Sequence, residues 1–326
     1  MANLEKEFEE FWKKIDLPNE KEKVLREKRE CLKNEIIEYF STKDEYNQPD
    51  FLLQGSMDMC TTINPLDEEY DIDYGIYINK KDIDYKDENT WPDIKNLHEI
   101  IAKACKPNKR TVDTSKDTCV RVIYANNYHV DFPIYIKDFD NKNFIPQLAH
   151  KESGWIGSNA KANTEYFQSC NKETNDALRY VVMFLKAMVD YQNYIEGEFQ
   201  TDISGFELTM LACRDYKTDG QTQIDKIWYK TLEEMLKQCS NNTSLQKPVT
   251  NDELWKNKLE QEKKSFIKLL RFAIDNTRKA IDTNSEKNAS EYYREIFGER
   301  FPKLTQDAKS ENLGASVVVQ SATSGC

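Results

Sequence analysis

The run Tyr70-Asp71-Ile72-Asp73-Tyr74-Gly75-Ile76-Tyr77-Ile78 constrains this chain more than any other stretch. Its aromatic and β-branched residues favour a strand. Alternate side chains of a strand share a face, so Asp71 and Asp73 stand together with Ile72 behind them. Two carboxylates side by side on a half-buried sheet repel, and either one takes up a proton or a cation lies between them. A second strand-like run, Tyr128 to Ile136, carries Asp131 on the face opposite Val130, Phe132 and Ile134. Three acidic groups on adjacent strands suit Mg²⁺, which takes oxygen ligands and keeps several waters. They would hold two such ions about 3.5–4 Å apart. Taken alone, an acidic pair on a strand is most often a solvated face.

The company of the pair changes that balance. Phe51-Leu52-Leu53 leads into Gln54-Gly55-Ser56, about fifteen residues ahead of Asp71. Gly55 permits a tight turn, and Ser56 offers a hydroxyl and a backbone N–H to a phosphate. Arg121, on a predicted strand from Thr118 to Tyr124, is open between a plain surface role and pointing toward the acidic centre to neutralise a phosphate, for which its planar guanidinium is suited. His129 shares strand parity with Asp131 but reads as a structural histidine.

Around this centre the chain alternates between helices and short strands. Residues 3–41 read as two helices broken at Leu17-Pro18-Asn19, with Asn19 as the cap of the second, a long helix that braces both lobes. Residues 42–50 are a polar connector. A helix is predicted from Trp91 to Cys105, ended by Lys106-Pro107-Asn108. Strands 118–124 and 128–136 follow, joined at Ala125-Asn126-Asn127. The segment 137–170 reads as irregular. From residue 171 the period is helical, and Ala177 to Val189 form an apolar helix carrying Lys186. Ser204 opens the next, at an N-terminus that favours anions. Lys186 and Ser204 are ordinary by pattern, yet placed to clamp a triphosphate. Further helices cover about 224–239, 251–283 and 289–298, and 303–326 read as a flexible tail.

Composition narrows the substrate. Lysine and arginine number 46 against 57 aspartate and glutamate, a formal charge of −11 in 326 residues. A net negative chain repels nucleic-acid backbones outside a local basic patch, which favours free nucleotides over a long polymer. Eight cysteines without a C-x-x-C pair suggest neither a zinc knuckle nor a disulfide framework. Three histidines, 98, 129 and 150, are too far apart to read as a metal site by spacing. No stretch approaches the ~20 apolar residues of a membrane helix, and the expectation is a soluble, cytoplasmic protein.

The motifs resemble a known group, the bacterial cyclic-oligonucleotide synthases related to cyclic GMP-AMP synthase and the 2′-5′ oligoadenylate synthases, within the polymerase-beta-like nucleotidyltransferases. The resemblance covers roughly residues 50–302. It rests on Q-G-S (54–56), T-T-I-N-P (61–65), Y-D-I-D-Y-G (70–75), C-V-R-V (119–122), H-V-D-F-P (129–133), L-R-Y-V-V-M-F-L-K-A (178–187), S-G-F-E-L-T (204–209) and I-F-G-E-R-F-P (296–302). Met188 stands where the group often has Trp. The resemblance implies an α+β fold: a nucleotidyltransferase lobe with a mixed sheet and a helical lobe, the active site in the cleft between them. The division expected is 1–165 for the core with bracing N-terminal helices, 166–302 for the helical lobe and 303–326 for the tail.

It further implies that Asp71, Asp73 and Asp131 are catalytic and bind two Mg²⁺ ions, with Mn²⁺ able to replace them. Gln54, Gly55, Ser56, Arg121, Lys186 and Ser204 would bind the nucleotide triphosphates, Arg121 near the acceptor. The group's reaction joins ATP- and GTP-type substrates into cyclic products that switch on an effector in antiphage (CBASS) defence. In some of these systems a ubiquitin-like ligase acts on the synthase's C-terminus, with which the Gly325-Cys326 end is compatible. No catalytic His or Cys is required. Competing readings are a transferase that adds nucleotides to an RNA end or a protein hydroxyl, and a catalytically silent nucleotide-binding scaffold. Base choice, linkage, ring size and the base-stacking residues, sought among Tyr166, Tyr180 and Phe206, stay open.

Overall fold

A computed structural model describes residues 2–42, 47–83, 91–106, 110–248, 250–255, 258 and 260–307. The chain forms two compact units, one of residues 17–173 with 245–256 and one of residues 1–16, 174–244 and 257–326. The first is built on a sheet and the second on helices.

In the sheet unit the strands are β1 (Asp50–Gln54), β2 (Tyr70–Asn79), β3 (Thr111–Asp113), β4 (Cys119–Ile123), β5 (Tyr128–Lys137), β6 (Gln147–His150) and β7 (Gly154–Gly157). Their order is β1-β2-β5-β4-β3, with β6 joining the far end of β5 and β7 pairing β6. β2 and β5 run parallel and the other pairs antiparallel, the mixed sheet expected. The alternation of β2 and β5 explains the layering. Ile72, Ile76, Ile78, Val130, Phe132, Ile134 and Ile136 are buried in one core with Leu25, Leu32, Ile36 and Phe40 of α2 (Asn19–Ser41) and Leu97 and Ile101 of α4 (Ile94–Cys105). The intervening residues face the other way. A one-residue slip of β2 would turn Asp71 and Asp73 into the apolar core, so burial of the isoleucines fixes where the acids point.

Ala125-Asn126-Asn127 turns β4 into β5 as expected, with Asn127 in the left-handed region at φ 56°. The segment read as irregular holds β6, β7 and most of α5 (Ala160–Glu173). Its four-residue strands are too short to display alternation. Only Phe167, Thr164 and Asn171 of α5 are buried, so its helical period is faint. Asn19 is the first residue of α2 and makes no cap hydrogen bond, Pro18 holding the cap position.

The helical unit contains α1 (Glu5–Ile15), α6 (Ala177–Tyr194), α7 (Gly205–Asp215), α8 (Ile224–Ser240), α9 (Glu260–Asp282) and α10 (Glu286–Phe297). α1 belongs here, apart from the sheet, because its aromatic stripe is used here. Phe8 and Phe11 pack on Phe184 and Phe301, and Phe11 also meets Phe297 at 4.5 Å between ring centroids. Residues 251–255 lie outside α9; an isolated bridge, Gln246 to Glu253, sits there instead. The predicted tail falls from residue 308 onward outside the described residues, as does Pro107-Asn108.

Candidate active site

The site grows from strand register. Asp73 of β2 stands beside Asp131 of β5, and Asp71 beside His129. On the other side of β5, Arg121 of β4 is the register partner of Asp131. Acidic and basic groups are therefore gathered on one face by backbone pairing alone, before any side chain chooses a rotamer.

Asp131 is the most enclosed of the three acids, 5% exposed. Arg121 donates to both of its oxygens, Nε to Oδ1 at 2.9 Å and Nη2 to Oδ2 at 2.8 Å, a bidentate pair. His129 Nδ1 lies 3.1 Å from Oδ1. Burial pushes the Asp131 carboxyl up, but the hydrogen bonds from His129 and Arg121 outweigh it and hold the group below its usual range. Burial likewise opposes the charge on Arg121, and the bond to Asp131 more than restores it. Glu69, just ahead of β2, completes the network by meeting Arg121 Nη1 at 3.3 Å and His129 Nε2 at 3.2 Å. Cys119, close to Asp131 and Asp73, is pushed up to about 12, by burial first and then by those two carboxylates. A thiol in that state is no nucleophile.

Gly55 shows why the turn needs glycine. Its φ is +68°, and a Cβ there would run into Oδ2 of Asp73. The Gly-Ser turn, which opens the short helix α3 (Gly55–Asp58), thus lies directly against the acidic pair. Ser56 Oγ accepts from Thr62 Oγ1 at 3.0 Å, and the Ser56 carbonyl accepts from the Thr61 N–H, so the T-T of the following motif braces the turn. Gln54 has a different place. It is 4% exposed, its Nε2 donating to Tyr77 Oη at 2.7 Å and its Oε1 accepting from Tyr135 Oη at 3.2 Å. Those two rings stack at 4.7 Å, and a Cβ on Gly75 would collide with the amide. The side chain expected at the triphosphate is instead occupied inside the sheet.

Lys186 and Ser204 lie together in the helical unit. A Cβ on Gly205 would come within 3.3 Å of Lys186 Cε, so the lysine's end reaches the start of α7. Ser204 caps that helix. Its Oγ accepts from the Glu207 N–H at 3.2 Å and donates to Glu207 Oε2 at 2.7 Å, while Oε2 also accepts from the Ser204 N–H. That reciprocal arrangement is a capping box. Lys258 adds a cation 3.3 Å from Glu207. Of the residues sought for base stacking, Tyr180 packs edge-on against Trp12 at 5.0 Å, and Tyr166 is 39% exposed on α5.

A metal fits the chemistry of the sheet site. One ligand atom each from Asp71, His129 and Asp131 lie within 4.8 Å of one another, and Asp73 shares their face. Carboxylate oxygens suit a hard divalent cation, and an imidazole is admissible for the softer ones. Glu69 was missed as a member of this site, and His129, whose parity with Asp131 was legible, was read as structural. For Glu69 no pattern existed, since its role follows from where Arg121 ends.

Residues 49–135 match the family described as cyclic GMP-AMP synthase DncV-like, nucleotidyltransferase domain. That stretch, about a quarter of the chain, is similar to a DncV-like nucleotidyltransferase domain. The domain spans β1 to most of β5 and so includes Asp71, Asp73, Asp131, Gly55, Ser56 and Arg121. Among solved structures, Vibrio cholerae DncV cyclic AMP-GMP synthase in complex with nonhydrolyzable GTP matches with TM-score 0.76 at 16% identity, over 93% of this chain and 98% of that one. DncV with the linear intermediate 5′ pppA(3′,5′)pG matches at TM-score 0.74 and 16% identity, over 92% and 97%. E. coli MS115-1 CdnC, solved as CdnC:HORMA-deltaN complex, matches at 0.69 and 16%, over 91% and 98%. At that identity the likeness is one of fold, and its 91–93% coverage of this chain extends beyond the matched domain. Among the described residues no helix is long and apolar enough to cross a membrane.

Proposed function

We propose that the protein joins nucleoside triphosphates into a cyclic di- or trinucleotide with release of pyrophosphate, as a signal in bacterial antiphage defence. The observation that carries this reading is the meeting of Asp71 and Asp131 on one sheet face, inside the segment that matches a nucleotidyltransferase domain. A hydroxyl oxygen of one nucleotide forms a bond to the α-phosphorus of another, the bond to pyrophosphate breaks, and the hydroxyl proton leaves to solvent. Mg²⁺ or Mn²⁺ held by Asp71, Asp73 and Asp131 would supply charge neutralisation for the phosphates. The chain's own part is positional. Gly55 lies against Asp73, Ser56 follows it with a backbone N–H and a hydroxyl, and Arg121 offers a guanidinium beside Asp131. Lys186, at the capped start of α7, and Ser204 are the helical unit's phosphate-binding candidates. Similar proteins solved with nonhydrolyzable GTP, with ATP and with a linear pppApG intermediate support such substrates, and CdnC's complex with a HORMA protein supports a protein regulator as a partner. A ligase acting on the C-terminus remains a proposal about residues outside those described.

Incubation of the full chain with four triphosphates and Mg²⁺ or Mn²⁺ tests the reading. A phosphatase-resistant cyclic product, identified by mass, is expected, and its loss in the double variant Asp71→Ala/Asp73→Ala. Labelled nucleotides appearing on added RNA or on protein hydroxyls, with no cyclic product, would replace this reading with a transferase to those acceptors.

A further inference from the structure

Arg121 sits where a metal-binding acid would be expected to face its ion. Both oxygens of Asp131 receive hydrogen bonds from this one guanidinium, at 2.9 and 2.8 Å, and Oδ1 also lies against His129. The pair is well enclosed, with side-chain exposures of 18% for Arg121 and 7% for Asp131. A carboxylate that offers both oxygens to a fork of donors has little left for a cation. The same oxygens belong to the group of atoms around which a divalent ion would fit.

We propose that Arg121 is the resident counter-ion of Asp131 and competes with the divalent cation for it, so that metal arrival releases the guanidinium. The inference rests on the metal-site reading above and goes beyond it. Two observations support exchange over a fixed structural pair. Arg121 has a second anchor, Glu69, whose side chain is 55% exposed and stays available when Asp131 is taken. Its two carboxylate partners differ widely in side-chain exposure, 7% for Asp131 and 55% for Glu69, so the guanidinium is shared between acids rather than sealed against one. A released guanidinium, planar and always charged, is suited to the oxygens of a phosphate. Metal and nucleotide would then favour each other's binding, since coupling between two ligands is reciprocal.

The test is Mn²⁺ titration of the full chain without nucleotide, followed by the electron paramagnetic resonance of the free ion. Wild type is compared with Arg121→Gln, Arg121→Lys and Asp71→Asn. Competition predicts that Arg121→Gln binds Mn²⁺ roughly tenfold more tightly, a coupling of ordinary size. Arg121→Lys keeps the charge and loses the fork, so a smaller gain there isolates the bidentate contact from general electrostatics. Should Arg121→Gln fail to fold, the lysine variant and wild type decide: the side-chain Nε–H resonance of Arg121 must move when Mg²⁺ is added. Unchanged or weaker Mn²⁺ binding in the Arg121 variants, with Asp71→Asn still impaired, overturns the competition and leaves the metal site standing. Equal binding by wild type and Asp71→Asn overturns both.

Discussion

The acid-rich face of the sheet and the start of α7 are each a knot of charges, and they are tied in opposite ways. On the sheet, Asp71, Asp73, Asp131 and Glu69 surround Arg121 and His129, with an excess of negative charge fixed by strand pairing. At α7, Lys258 and Lys186 stand with Glu207 at a helix N-terminus, where the backbone adds partial positive charge. Acids outnumber cations in the first knot, and in the second two lysines stand at the helix start that Glu207 caps. Register imposes the first, since no rotamer change can separate acids mounted on neighbouring strands. The second is centred on a local device, the Ser204–Glu207 capping box, with flexible lysine side chains reaching it from elsewhere, and is more easily relaxed.

The comparison breaks hardest at Asp131. Asp131→Asn removes the bidentate partner of a largely enclosed guanidinium and should cost about 3 kcal/mol, the low end for breaking a buried pair from one side, because Glu69 still holds the arginine. The matching change at the other knot, Glu207→Gln, keeps a residue type that a capping box accepts and should cost under about 1 kcal/mol. Urea unfolding of both variants measures the difference. If Glu207→Gln is the more damaging, the contrast between imposed and local charge networks is wrong.

Acid separates the units next. All three histidines of the chain, 98, 129 and 150, lie in the sheet unit. His98 is 1% exposed, its Nε2 lies 3.3 Å from the Ala149 carbonyl, and its Nδ1 is buried without a partner among the described atoms. Burial lowers its pKa from 6.5 to about 4. The native state thus holds His98 neutral while the unfolded chain protonates it near 6.5. Its contribution is fully present above that pH and is lost as pH falls from 6.5 toward 4, on the order of 2–3 kcal/mol. Melting temperature followed from pH 7 to 5 should fall in wild type and fall less in His98→Gln. Equal slopes would show that the loss comes from elsewhere.

Gly55 carries the contrast to the turn. Gly55→Ala sets a Cβ at φ +68° and against Asp73 Oδ2, so strain and collision act together, for about 1–2 kcal/mol. Its effect on nucleotide incorporation should exceed its effect on stability, because Asp73 is displaced from the shared face. A variant that melts early and reacts normally would remove Asp73 from the site.

How far the sequence could be read follows the same division. Asp71, Asp73 and Asp131 were legible because a period of two and the apolar residues between them dictate one face. The role of Gly55 in a turn was legible, but its collision with Asp73 was not, since it depends on the pairing of β1 with β2. Arg121 was legible as a residue that could point at the acidic centre, and register aims it at Asp131; Gln54 was located on the right element and given the wrong neighbours, because Gly75 opens the room that draws it inward. Composition does not record cross-strand partners. Lys186 and Ser204 looked ordinary by spacing, and only the packing of α6 against α7 puts one beside the other.

The smallest expected effect, at Ser204, decides what the second knot is for. Ser204→Ala deletes both hydrogen bonds that its hydroxyl makes to Glu207 and should cost about 1 kcal/mol, the usual loss for an N-cap. Ser204→Thr keeps a capping hydroxyl and should recover most of that. If capping were the residue's whole role, the KM for the nucleoside triphosphate would follow stability in both variants and hardly change. If the hydroxyl or the N–H groups beside it also hold phosphate, KM rises in Ser204→Ala by more than the melting shift explains, and the threonine variant restores it. Because Glu207 already occupies the hydroxyl's donor, the N–H groups and Lys186 are the better phosphate ligands here. The sharper form of the prediction is therefore that Lys186→Gln raises KM further than Ser204→Ala while costing less stability.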